Sequence, residues 1–103
     1  MKIVLNNQSI DLKDCKKFKD KLIGFMFKKN INYALRFKCK GIHTFFMKEK
    51  IDVVITDKNN KVIQVKNNMD KNKILINTKA YFFYELPKNT NTYKVNDMLK
   101  IIK

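Results

Sequence analysis

Apolar and polar residues alternate along this chain in ways that assign most of it to short strands. Lys2 to Leu5 reads as a strand and Asn6-Asn7-Gln8-Ser9 as a turn, because Asn and Ser compete for local backbone hydrogen bonds. Ile10 to Lys13 is a second extended piece that can pair with the first. From Asp14 the spacing changes: Cys15, Phe18, Leu22, Phe25 and Met26 fall in one arc at about 100° per residue. That spacing predicts a helix, with Asp14 as its cap and Gly24 near its end. After Asn30-Ile31-Asn32, the segment Tyr33 to Cys39 alternates cleanly, with Tyr33, Leu35, Phe37 and Cys39 on one face.

Lys40-Gly41 then turns the chain, Thr44 to Met47 is read as extended, and Ile51 to Thr56 is a β-branched run suited to burial on both faces. Asp57 to Lys61 carries the strongest hairpin signal, since Asn tolerates the positive φ of a tight turn. Val62 to Val65 is the returning strand and Asn67 to Asn72 a polar loop. Lys73 to Asn77 and Ala80 to Glu85 are further strands, closed by Leu86-Pro87-Lys88-Asn89, and Asp97 to Lys103 is apolar enough for a last one. The expected fold is mostly β (α+β): a single domain over residues 1–103, a largely antiparallel small barrel or sandwich of about seven or eight strands with one helix in the N-terminal region.

Composition changes this picture little. A chain of 103 residues can bury one core without staples. The N-terminus turns polar after Leu5, which argues against a signal-peptide core and for the cytoplasm with reduced thiols at Cys15 and Cys39. No apolar run suits a bilayer-spanning helix, and no Cys-x-x-Cys or multi-histidine spacing offers a metal cage. The sequence therefore implies no metal and no cofactor, and it sets no oligomeric state.

The net charge of +14 asks for a polyanionic partner such as nucleic acid or an acidic membrane surface. Yet 22 of the 23 basic residues are Lys, and Lys, Asn and Ile together make up 47 of 103 residues, the bias an AT-rich genome writes into any protein. Arginine, preferred for bidentate phosphate contacts, occurs only at Arg36. The charge is concentrated between Lys13 and Lys40, so a polyanion would be met by Lys16, Lys17, Lys21, Lys28, Lys29, Arg36 and Lys38.

The run Ile42 to Met47, IHTFFM, followed by Ile51 to Ile63, IDVVITDKNNKVI, resembles the central signature of the bacterial and archaeal family catalogued as domain of unknown function 192. Lys21, Gly24 and Met26 match its basic-x-x-Gly-x-Met element, Cys39 its cysteine before the histidine, and Glu85-Leu86-Pro87 its C-terminal element. The chain departs from the pattern at Lys48, Glu49 and Lys50, where an arginine and an apolar-proline pair are usual, and at Lys88-Asn89, where a glycine is usual. The resemblance implies a small β-rich domain, often envelope-associated or secreted in relatives with signal peptides, and no established activity.

Candidate chemistry is sparse. Cys39 and His43 suggest a thiol–imidazole pair, but on one straight strand they would stand about 13 Å apart. Asp52, inside an apolar run, needs partners or a raised pKa, and a facing carboxylate pair would suit a small hydrolase-like enzyme. Of the aromatic run Tyr81 to Tyr84, two rings must lie on each face, which leaves one pair for stacking. The reading favours a non-catalytic binding or accessory module with an unknown small ligand or protein partner, no catalytic residues, and a ligand site where His43, Thr44, Asp52 and Glu85 converge. Polyanion binding is the alternative, and an enzyme using Cys39 and His43 or a carboxylate pair is a third reading.

Overall fold

Asn6 and Asn7, both in the left-handed region at φ 50° and 63°, turn strand β1 (Lys2–Leu5) tightly into β2 (Gln8–Cys15). The structure, a computed structural model, describes every residue except Phe18, Asp20, Lys21 and Leu22. Strand β3 (Ala34–Lys38) returns parallel to β2, in the register Asp14↔Arg36 and Cys15↔Phe37. A parallel neighbour requires a long crossover, which the segment 16–33 supplies. β4 (Gly41–His43), β5 (Ile51–Thr56), β6 (Val62–Met69), β7 (Ile74–Ile76), β8 (Phe82–Pro87) and β9 (Ile101–Ile102) complete the nine described strands.

Seven of these form one mixed sheet in the order β6-β5-β8-β3-β2-β1-β9, antiparallel except for β2 and β3, while β4 and β7 pair separately. The sheet is open, and the closed barrel anticipated above is not formed. Between its edges the C-terminal segment makes short links: Val62 donates to Asp97, Asn96 to Val62 and Leu99 to Asn60.

The expected helix is not borne out. Asp14 and Cys15, its anticipated cap and first apolar position, are the last residues of β2, where the ladder to β3 takes their backbone and Arg36 takes the Asp14 carboxylate. The middle of that helix, Phe18 and Asp20 to Leu22, lies outside the described residues, and no helix is among the described elements. Gly24 does close a turn, at φ +48°. The segment 44–47, read as extended, is also a turn, because the Met47 amide donates back to the Thr44 carbonyl. The Asp57 hairpin is as expected: its carboxylate accepts the Asn59 and Lys61 amides and Asn60 adopts φ 64°.

β5 is buried along its whole length and sorts its side chains by parity. Ile51, Val53 and Ile55 join Phe25, Leu35, Phe37, Met47 and Phe83 in one core cluster. Val54 joins Ile3, Leu12, Val62, Tyr84 and Leu86 in a second cluster on the other face of the sheet. The segments around residues 24–31 and 40–47, with β7, roof the first cluster; β1, β2 and the C-terminal segment enclose the second.

Candidate functional site

Of the four residues expected to converge, this parity separates the two carboxylates. Asp52 stands opposite Leu86 and Val53 opposite Glu85, so the two carboxylates project from opposite faces of the sheet. Asp52 is buried and fully partnered: Oδ1 accepts the Asn68 amide at 2.8 Å, and Oδ2 accepts the Thr90 and Asn91 amides at 3.0 and 2.9 Å. It ties the end of β6 and the loop after β8 to β5. Thr44 is buried in the same manner, its hydroxyl donating to the Asp70 carbonyl at 2.7 Å and accepting the Lys73 amide at 2.9 Å. His43 accepts the Phe45 amide at Nδ1 and stacks on the Phe45 ring. Cys39 packs against the first core cluster.

Glu85 is different. Its carboxyl lies under the Gly24-Phe25 turn and receives the Phe25 amide, while Oε1 has no partner among the described residues. Burial pushes it up to about 8, the Phe25 amide opposing the shift. With Asp52 across the sheet, the carboxylates form no acid–base pair.

The cations expected to meet a polyanion separate into groups. Lys16, Arg36 and Lys38 share one cavity of about 310 Å³, lined also by Asp14, Cys15, Tyr81 and Phe82. Lys28 belongs to another cavity of about 220 Å³, with Lys13, Gly24 and Tyr33. Lys17 and Lys29 are simply exposed, and Lys21 lies outside the described residues.

The first cavity is built by strand pairing. Lys38 opposes Phe82 and Arg36 opposes Tyr84, so the two cations share one face of β3 and β8 with these rings, Phe82 half-buried and Tyr84 buried. Asp14 grips Arg36 in a fork, with Nε and Nη2 donating at 3.1 and 3.0 Å, which holds the guanidinium over the Phe82 ring at 4.6 Å and its pKa above the ordinary value. Lys38 lies 4.8 Å from the Tyr81 centroid and draws that phenol below its ordinary pKa, through a hydrogen bond first. Beneath them Tyr84, buried and bonded to Asn60, is pushed up to about 12 by burial. A second cavity of about 280 Å³, lined by Lys38, Cys39, Lys40, Ala80 and Tyr81, continues the trough past Lys38.

Sequence reasoning turned Tyr33 and Phe37 inward, and Phe37 is indeed fully buried. It left open which rings of the run 81–84 face outward; the pairing of β8 with both β3 and β5 buries Phe83 and Tyr84 and leaves Tyr81 and Phe82 half-buried. Asp14, which orients Arg36, was missed because it had been placed in a helix.

No family model and no curated protein matches the chain. Two solved crystal structures share its fold. One is a proposed transcription regulator of Sinorhizobium meliloti 1021, with a TM-score of 0.82 and 10% identity, over 96% of this chain and 89% of that one. The other is a protein of unknown function from Novosphingobium aromaticivorans DSM 12444, with a TM-score of 0.67 and 10% identity, over 85% of this chain and 71% of that one.

Proposed function

We propose that this protein is a non-catalytic binding module that takes a phosphate-bearing, ring-containing polyanion, in the first instance single-stranded nucleic acid, in the β3–β8 trough. The observation that carries this reading is the alternation of Arg36 and Lys38 with Phe82 and Tyr81 on one walled surface. Lysines supply phosphate attraction through counterion release, and flat rings supply sequence-tolerant stacking. Asp14 forks Arg36 and lies 3.9 Å from the exposed Lys16, so one carboxylate faces three cations; in this reading Lys16 and Lys38 are the phosphate contacts and Arg36 is chiefly a support for Phe82. A cavity near 310 Å³ is at the lower end of ligand sites and suits one nucleotide unit, with its continuation taking the next. The neighbour described as a proposed transcription regulator agrees with such a ligand; at 10% identity it lends the fold alone.

We also propose that the chain is related to the domain of unknown function 192 family. In support, Gly24 and Glu85, from motif pieces far apart in sequence, are in contact: a Cβ at Gly24 would lie 3.0 Å from Glu85 Oε1.

The test is binding of labelled single-stranded and duplex oligonucleotides at about 50 and 200 mM salt, with heparin as competitor, reading the slope of log K against log salt. Binding to single strands should weaken about tenfold or more in a Lys16→Glu/Lys38→Glu variant. Phosphate that draws Lys38 away should also let the Tyr81 phenol titrate higher, seen by its absorbance. Undiminished affinity in the double variant removes the trough as the site.

A further inference from the structure

Among the described residues, ten non-glycine positions have positive φ; eight are asparagines, and the other two are Phe27 at 63° and Phe46 at 62°. Asparagine visits this region readily, whereas a bulky aromatic there is a true outlier of the kind that accumulates at functional sites. Both rings are also exposed, at 62% and 63%, and they stack on each other with centroids 5.7 Å apart. Nothing in the core asks for phenylalanine at either position.

Two turns hold the rings out. In one, the Lys28 amide donates to the carbonyl of buried Phe25; in the other, the Met47 amide donates to the carbonyl of buried Thr44. Core residues anchor each turn, the Phe27 amide joins them by donating to the Phe46 carbonyl, and the aromatic side chains are left outside. Beside them, His43 stacks on Phe45 and pairs with Ile74, and Ile74 and Ile76 are 62% and 67% exposed. An apolar face thus runs from β7 to the twin turns.

Its border is basic. Lys28, Lys48 and Lys73 flank the exposed apolar residues in sequence and are themselves exposed. The carboxylates of these segments, Glu49 and Asp70, are ion-paired with Lys88 and Lys50. Protruding apolar rings framed by ammonium groups complement a surface that is anionic at its boundary and apolar just below it. A protein partner would need a concavity shaped to the paired rings, while lipid yields to them.

We propose that the Phe27–Phe46 face docks this protein on anionic lipid bilayers, with the two rings entering the headgroup region and the lysines contacting phosphates. This face covers the first core cluster. The trough lies on the other side of β3, because Arg36 and Lys38 alternate with Leu35 and Phe37 of that cluster. The two surfaces share no lining residue.

The experiment is co-sedimentation of the full chain with phosphatidylcholine vesicles, with and without phosphatidylglycerol. Binding is expected only to the mixed vesicles. A Phe27→Asn/Phe46→Asn variant should lower partitioning about tenfold or more while folding at least as well as the parent, since Asn suits the positive φ. Because the chain has no Trp, Phe46→Trp provides a reporter whose emission should shift blue on mixed vesicles alone. Absence of binding, or equal binding by the asparagine variant, which would mean adsorption by charge, overturns the proposal. So does a concentration-dependent dimer that the asparagine variant abolishes and vesicles do not compete with, which would make a second copy the occupant.

Discussion

At Glu85 a single buried carboxyl makes stability depend on pH. It stands between Leu35 and Val53 in the first core cluster, with one oxygen unpartnered among the described residues. Folding raises its pKa from 4.5 to about 8, so between those values the native chain keeps a proton that the unfolded chain releases. The resulting destabilisation is absent below pH 4.5, grows by about 1.4 kcal/mol per pH unit, and levels off above pH 8. Urea unfolding at successive pH values should show stability falling by on the order of 3 kcal/mol from about pH 5 to 8, and Glu85→Gln should flatten that slope. An unchanged slope in the variant would assign the titration to another group. Gly24 is coupled to the same point, since any side chain there meets both a strained φ and the Glu85 oxygen.

Among the elements, β5 shows how a charged residue can belong to a strand buried on both faces. Asp52 gathers three amides, one from β6 and two from the segment after β8, so its deletion leaves three part-buried donors without their acceptor. Asp52→Ala should cost about 3 kcal/mol in urea unfolding, and Asp52→Asn should recover less than half of this. Hydrogen exchange should quicken selectively at Asn68, Thr90 and Asn91; unchanged rates there would mean that the clamp is weak. The alternating strand at Leu35 and Phe37, the buried run at Ile51 to Thr56 and the Asp57 hairpin were legible because local periodicity and turn chemistry determine them. The Asp14 helix was misread for a related reason: Cys15, Phe18, Leu22 and Phe25 fit a 3.6 period, while the parallel pairing of Asp14 with Arg36 is a contact between distant segments that no local pattern encodes. The candidate site was legible only as a charge excess. Which rings stand beside Arg36 and Lys38 is set by the β3–β8 register, and the exposure of Phe27 and Phe46 by two turns written in apolar letters.

For the molecule as a whole, composition shapes the means and leaves the fold intact. With two glycines in 103 residues, left-handed turns fall to asparagine at eight of the described positions, so the bias toward Asn provides most of their turn chemistry. The same bias provides lysines for both proposed surfaces. Strand order adds a different consequence. β1 pairs with β9 in the register Lys2↔Ile102, so the two ends of the chain lie side by side at one edge of the sheet. Such a layout is indifferent to where the polypeptide is cut. A short Gly/Ser linker from Lys103 to Met1, with new ends opened in the exposed turn between Lys58 and Asn59, should give a circular permutant with the parent's circular dichroism and a modestly lower melting temperature. A permutant that stays unfolded would show that the β5–β6 hairpin, which the new ends interrupt, must be continuous. One that folds would mark the protein as a cassette that can be spliced into a loop of an unrelated host through two neighbouring joints.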